Sequence, residues 1–131
     1  MNILYDLEIK DDEIINMVSQ CPVISELTEE EIMVKVEILK QIGCNDKHIR
    51  NILSSNPYYL DRLDTDVINL IKCLIKYKFE CIYLLLDSNP YILNKDAFEI
   101  ENYISDRIKQ GESLEDIVDD LDSNPFLFEE M

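Results

Sequence analysis

Two pairs of residues have the types that covalent or metal chemistry needs, and one of the pairs also has the spacing. Cys44 and His48 are four residues apart, so a helix would place them on one face, as a nucleophile with its base or as two zinc ligands. Cys73 and Cys81 are two further ligand types, at an irregular spacing. His48 is the only histidine, and the sequence has neither a third group to orient it nor a glycine-rich phosphate loop. We therefore predict no enzyme, no cofactor and no metal site, and four reduced, mostly buried cysteines.

A dense acidic segment near the C-terminus is a candidate binding surface. Six carboxylates fall within eleven residues that contain no base: Glu112, Glu115, Asp116, Asp119, Asp120 and Asp122. Apolar residues between them face inward from a short helix, which leaves the carboxylates on its outer face. One interpretation is a docking surface for a basic partner or a mimic of nucleic-acid phosphates. A polar cap that keeps the end of a repeat array soluble is another, and calcium is a third, although the EF-hand loop pattern is missing.

The charge is uneven along the chain, with a mildly basic middle. There are 12 basic and 28 acidic residues, and the net charge of −16 argues against simple binding to a phosphate backbone. Residues 35–78, however, contain eight basic and five acidic residues. Four of these cations are candidates for a nucleic-acid contact: Arg62, Lys72, Lys76 and Lys78. Ordinary solvated surface that pairs with the acidic flanks is the alternative.

An internal repeat determines where these residues lie. The prolines Pro22, Pro57, Pro90 and Pro125 are spaced by 35, 33 and 35 residues, and Ser-Asn precedes the last three. An isoleucine stands eight residues before each proline, and an apolar residue stands four before it. Because positions four apart share a helix face, this pattern predicts a short helix that ends at the proline. A short helical turn with Asn as its cap follows, and then a longer helix.

These units predict an all-α solenoid of about three and a half helix–Pro-turn–helix units of 33–35 residues, folded as one domain over residues 1–131. Thr28 with Glu31 forms a predicted capping box, and Asp96 with Glu99 and Ser113 with Asp116 form weaker ones. Gly43 and Gly111 are expected in left-handed C-caps that end long helices. The predicted short helices span residues 11–20, 45–54, 78–87 and 113–122, and the long ones span 28–42, 64–77 and 96–110.

The stretch 42–60 resembles the repeat of the mitochondrial transcription termination factors (mTERF). In that family a Leu-Gly step leads into a short helix, then a proline and an apolar turn; here the step is Ile42-Gly43 and the proline is Pro57. The resemblance recurs at 109–128 and more loosely at 77–93 and 9–24. It implies a left-handed array of helical triplets with a concave face, and nucleic-acid binding through a basic groove. The short, acidic chain without an organelle presequence departs from that pattern.

We expect a non-enzymatic protein-interaction module with a curved, strongly acidic surface, acting for example as a small inhibitor or decoy on a basic nucleic-acid-binding protein. The alternative is an mTERF-like nucleic-acid-binding protein that uses the basic middle segment. The sequence shows no targeting or membrane-spanning segment, so we expect a cytoplasmic location and no membrane partner.

Aromatic residues follow the repeated prolines. At the C-terminal turn, Phe126 and Phe128 are expected to anchor the partner or a homodimer contact, because no further long helix follows to cover them. Tyr58, Tyr59 and Tyr91 are expected to pack between units, with base stacking as the alternative.

Overall fold

The computed structural model describes residues 2–131, and within that range every regular element is helical. This confirms the predicted all-α solenoid of helix–Pro-turn–helix units. The α-helices are α1 (Asn2–Asp6), α2 (Asp11–Gln20), α3 (Glu29–Gln41), α4 (Asp46–Ser55), α5 (Asp64–Lys76), α6 (Ile82–Ser88), α7 (Ala97–Lys109) and α8 (Leu114–Ser123). Four 3₁₀ turns begin at the repeated prolines and span Pro22–Glu26, Pro57–Asp61, Pro90–Asn94 and Pro125–Glu130.

Each complete unit adds one element to each of three rows. The short helices α2, α4 and α6 pack on one another in sequence, and so do the long helices α3, α5 and α7. The four 3₁₀ turns form the third row, in which each turn contacts the next. Helix α1, which the repeat pattern does not predict, packs against α3 and extends the row of long helices. Buried side chains from all three rows form one apolar core.

Side-chain caps set the starts of several helices. The predicted boxes at Thr28–Glu31 and Asp96–Glu99 are both present. A further box lies at the start of α4, where the backbone N–H of His48 donates to Asn45 Oδ1 at 2.9 Å. In return, the Asn45 N–H donates to His48 Nδ1 at 3.1 Å. In this box a histidine replaces the usual glutamate and accepts the same hydrogen bond. A sequence search for Ser or Thr followed by Glu therefore misses the box.

Left-handed residues end the long helices at equivalent positions. Gly43 and Gly111 have φ values of 105° and 97°, as predicted for C-caps. Glu8 and Lys78, the equivalent residues after α1 and α5, have φ values of 64° and 63°. The repeat therefore imposes this backbone conformation even where the residue is not glycine.

Helix α6 is shorter than predicted. The repeat pattern predicts a helix over residues 78–87, but α6 begins at Ile82. Lys78 belongs to the turn that ends α5, and Phe79 drops into the core, where it is 5% exposed. Between the left-handed residue and the proline, this unit is two residues shorter than the others, and the loss falls on the short helix.

The asparagine of the Ser-Asn-Pro motif connects successive units. Asn56 Nδ2 donates to the carbonyl of Pro90 at 3.0 Å, and Asn89 Nδ2 donates to the carbonyl of Pro125 at 3.1 Å. Both asparagines are buried. The predicted role of this asparagine as a cap of the turn holds only at Asn89, whose Oδ1 accepts from the Tyr91 N–H. A buried amide needs partners, and the next turn offers a carbonyl at the right position.

Candidate binding surfaces

The Cys44 and His48 pair is not arranged for catalysis. Cys44 is buried, and burial, with a smaller contribution from Asp87, raises the pKa of its thiol to about 11, so the thiol stays protonated at neutral pH. His48 caps α4 through Nδ1, and its ring lies 5.3 Å from that of Tyr83. Across residues 2–131, no group of three His, Cys, Asp or Glu side chains is placed to hold a metal ion.

Half of the predicted acidic face is engaged within the protein. Arg107 donates from Nε to Glu112 Oε2 at 2.6 Å and from NH1 to Asp120 Oδ2 at 3.0 Å. Its hydrogen bonds lower the pKa of the Glu112 carboxyl. Asp122 is partly covered by the loop before α6, where it accepts from the Glu80 N–H at 3.5 Å, and burial raises its pKa.

The remaining carboxylates of the acidic segment, Glu115, Asp116 and Asp119, are exposed. Their carboxylates take part in no salt bridge within the part of the chain that the structure describes. Glu115 and Asp119 share a shallow groove with Leu114, Val118 and Lys78. The acidic surface that a partner would meet is therefore about half as dense as the sequence suggests.

Arg62 connects two units and is not presented to solvent. Its NH1 donates to the Asn94 carbonyl at 3.1 Å, and its NH2 donates to the Lys95 carbonyl at 2.9 Å and to Asp96 Oδ1 at 3.2 Å. Its side chain is only 18% exposed. The interpretation of Arg62 as a nucleic-acid contact is thus corrected: both of its terminal nitrogens already bind groups of the next unit, which lie more than 30 residues away in the sequence.

The other three predicted cations lie together near the C-terminal end of α5. Lys72 and Lys76 are one helical turn apart and exposed, and Lys78 follows directly. Because α3, α5 and α7 stack as equivalent helices, their C-terminal ends share one edge of the molecule. This edge also carries Lys40 and Lys109, which the sequence analysis missed. We call these five side chains the lysine edge.

The lysine edge is weakly neutralised. Among its five members, Lys76 alone forms a salt bridge with a described residue, at 3.7 Å from Glu101 Oε1, and its Nζ also lies 5.1 Å from the centre of the Tyr77 ring. When the units are aligned by the proline that precedes each long helix, Lys76 and Lys109 occupy the same position, and Lys40 falls one residue before it. That alignment is the signal that would have found the two missed lysines.

The C-terminal phenylalanines have different environments. Phe128 is fully buried, with its ring centre 5.8 Å from that of Phe79, so it is a core residue and not the exposed anchor predicted above. The last turn packs against the third turn and against α8, and Phe79 of the third unit covers the Phe128 ring. Phe126 is 58% exposed and stays a candidate contact.

The tyrosines of the repeat turns also differ in burial. Tyr59 is buried, and its hydroxyl donates to the Lys35 carbonyl at 2.6 Å, which confirms packing between units for this residue. Tyr58 and Tyr91 are 49% and 45% exposed. Together with Phe126 they occupy the position directly after the proline in three successive turns. We call Tyr58, Tyr91 and Phe126 the aromatic row.

Comparisons with known proteins and the lengths of the helices bear on the class of this protein. No helix in the described part of the chain is long and apolar enough to cross a membrane. Neither curated proteins nor solved structures give a significant match. The family model of mTERF matches residues 1–119, a span that includes the three complete units seen in the structure. The chain therefore belongs to the mTERF family.

Proposed function

We propose that this protein binds nucleic acid without catalysing a reaction, and that the lysine edge makes the contact. Family membership supports this class of function over the inhibitor or decoy role expected from the acidic composition. The observation that carries the proposal is structural: the ends of three stacked helices gather Lys40, Lys72, Lys76, Lys78 and Lys109 at one edge.

Local charge supports the proposal in spite of the net charge. A phosphate backbone responds to the cations within a Debye length, about 8 Å at physiological salt, more than to distant acids. Four of the five lysines form no salt bridge within residues 2–131, so binding costs no ion pair there. Some acids are close to the edge, since Glu101 pairs with Lys76, and Glu115 and Asp119 line one groove with Lys78. They and the acidic remainder weaken binding at low salt, so we expect micromolar or weaker affinity.

Fluorescence anisotropy with labelled single-stranded RNA and duplex DNA tests the proposal. Each lost phosphate contact reduces the slope of log affinity against log salt by about 1. The variant Lys72→Gln with Lys76→Gln is therefore expected to reduce that slope by about 2 and to weaken binding to every sequence alike.

A matched control removes two exposed lysines elsewhere, Lys10→Gln with Lys47→Gln, which lie at the starts of α2 and α4. The control is expected to retain the slope of the unmodified protein. Absence of binding to both nucleic acids at micromolar protein and low salt would overturn the proposal. Equal losses in the two variants would overturn the assignment to the lysine edge.

The acidic surface of α8 supports a second candidate function, docking of a basic protein. Glu115, Asp116 and Asp119 are exposed and close in sequence on one helix. Glu115→Gln with Asp119→Gln is expected to weaken capture of such a partner and to leave nucleic-acid binding unchanged or slightly stronger.

Both functions fit an intracellular site of action, because the four cysteines are unpaired.

A further inference from the structure

The aromatic row is an exposed feature that the nucleic-acid proposal does not use. Its three rings are among the large apolar side chains that the fold leaves in solvent, at 45% to 58% exposure. In the first turn the equivalent residue is Val23, which is half-buried. Three consecutive units thus present an aromatic ring from one and the same position.

The backbone beneath the row is fixed. The Asn56 and Asn89 hydrogen bonds to the carbonyls of Pro90 and Pro125 join successive turns at the residues directly before Tyr91 and Phe126. Tyr59, which follows Tyr58, is buried and hydrogen-bonded through its hydroxyl. The rings are therefore held at the regular spacing of the units, and a ligand meets a preorganised surface.

Charge near the row is acidic. Every charged residue within the four 3₁₀ turns is an acid, and all four are exposed: Glu26, Asp61, Glu129 and Glu130. The cations that follow two of the turns are directed into the structure. Arg62 binds the carbonyls of the next turn, and Lys95 Nζ lies 3.3 Å from the Met131 carbonyl, with their side chains 18% and 19% exposed.

The row also lies far from the lysine edge. Each of the first three turns leads into the N-terminus of a long helix, and the fourth turn packs against the third, whereas the lysine edge lies near the C-termini of those helices. A helix of 13 residues is about 20 Å long. A phosphate backbone bound at the lysine edge is therefore remote from the rings, and the acids around the rings repel it.

We infer that the aromatic row is a docking surface for an extended, arginine-bearing polypeptide segment. A guanidinium group stacks on aromatic faces and pairs with carboxylates through two parallel hydrogen bonds, so it suits both features of the row. Stacked helices are spaced by about 8–10 Å, and an extended segment in the polyproline II conformation advances about 3.1 Å per residue with three residues per turn, so every third side chain points the same way. An arginine at every third residue therefore matches one ring per unit.

Anisotropy of a fluorescein-labelled peptide tests the inference. The probe has about 12 residues, an extended length of about 40 Å, with arginine at every third position and serine between. The variant Tyr58→Ser, Tyr91→Ser, Phe126→Ser is expected to bind at least about tenfold more weakly, because each ring supplies a cation–π contact. A peptide with lysine in place of arginine is expected to bind several-fold more weakly to the unmodified protein.

A control variant removes a similar amount of exposed apolar surface elsewhere: Ile75→Ser, Leu84→Ser and Ile108→Ser, at residues 57%, 49% and 47% exposed. It is expected to bind the peptide within about twofold of the unmodified protein, with circular dichroism showing that both variants fold. Failure of the peptide to bind, or equal losses in the two variants, would overturn the inference. So would single-stranded RNA that binds through the aromatic row, since the row would then be a base-stacking surface. None of these outcomes depends on the lysine edge, so the nucleic-acid proposal stands or falls separately.

Discussion

Asn56 donates its side-chain amide to the carbonyl of Pro90, 34 residues further along the chain, at 3.0 Å. The same amide lies 3.0 Å from Asn94 Oδ1, and Asn94 Nδ2 returns a hydrogen bond to Asn56 Oδ1 at 3.2 Å. Asn56 is fully buried. A single side chain thus satisfies the polar groups of two adjacent turns.

Removal of this side chain is expected to destabilise the protein. Asn56→Ala leaves the Pro90 carbonyl without its partner, and a buried unpaired group of this kind costs about 1–3 kcal/mol. The equivalent Asn124 is exposed, so Asn124→Ala is the control, with an expected change below about 0.5 kcal/mol. Urea denaturation followed by circular dichroism measures both. Equal losses would show that burial of the Asn56 amide is unimportant.

The two phenylalanines of the last turn are expected to differ sharply. Phe128→Ala empties a fully buried site against Phe79 and is expected to cost about 3–5 kcal/mol in the free energy of unfolding. Phe126→Ala removes a largely exposed ring and is expected to change stability by less than about 0.5 kcal/mol. Thermal melting of the two variants compares them, and similar melting temperatures would contradict the packing of the last turn.

Two carboxylates of α8 and its preceding loop are expected to give opposite pH signatures. Burial raises the pKa of Asp122, so stability is lost as pH rises through that raised value, and Asp122→Asn is expected to raise the melting temperature at neutral pH. The hydrogen bonds from Arg107 lower the pKa of Glu112, so its stabilisation is present at neutral pH and is lost as pH falls through the lowered value. Glu112→Gln is therefore expected to lower the melting temperature at neutral pH.

Melting curves from neutral pH down to about pH 3 check both signs. The gap between each variant and the unmodified protein is expected to narrow as pH falls, and to do so at higher pH for Asp122→Asn, because the Asp122 carboxyl has the raised pKa and the Glu112 carboxyl the lowered one. A gap of the same sign for Asp122→Asn and Glu112→Gln would contradict the two environments.

Substitution of the two glycines is expected to have unequal effects. Both have positive φ, so alanine is strained at either position. At Gly43 an added Cβ also lies 2.9 Å from the Tyr83 ring, whereas nothing lies within 4 Å at Gly111. Gly43→Ala is therefore expected to reduce stability more than Gly111→Ala, by urea denaturation. The reverse order would mean that the Tyr83 ring moves aside freely.

The sequence predicts the fold well because the repeat is redundant. The prolines, the apolar positions before them and the two glycines each mark the same period, and the long helices end within a residue or two of prediction. The predicted start of α6 is wrong because this unit lacks two residues. The shorter proline spacing shows that two residues are missing, but it does not show from which element. Helix α1 is not marked by one of the repeated prolines, and its Asn2 and Ile3 N–H groups donate to the side chain of Glu29, a contact that no local pattern reveals.

The candidate surfaces are predicted less well, because their properties depend on contacts between units. Arg107 pairs with Glu112 and Asp120, which follow it across a turn. Arg62 donates hydrogen bonds to carbonyls more than 30 residues away. Periodicity shows which face of a helix a residue occupies. It does not show which side chains or carbonyls of the neighbouring unit contact that face. The exposed lysines and aromatic rings emerge only when units are compared position by position.

The unequal junctions between turns have a consequence for how the array comes apart. Cys21 stands where the next two units have the buried asparagines Asn56 and Asn89, so the first junction lacks that bond. It relies instead on Arg50, which donates to the Leu7 carbonyl at 3.2 Å, and on Ser54, which donates to Glu13 at 3.0 Å. In a linear array each unit is coupled only to its nearest neighbours, so cooperativity is lost first where coupling is weakest. Amide hydrogen exchange is therefore expected to begin with α1 and α2, while the second to fourth turns open together as one foldon.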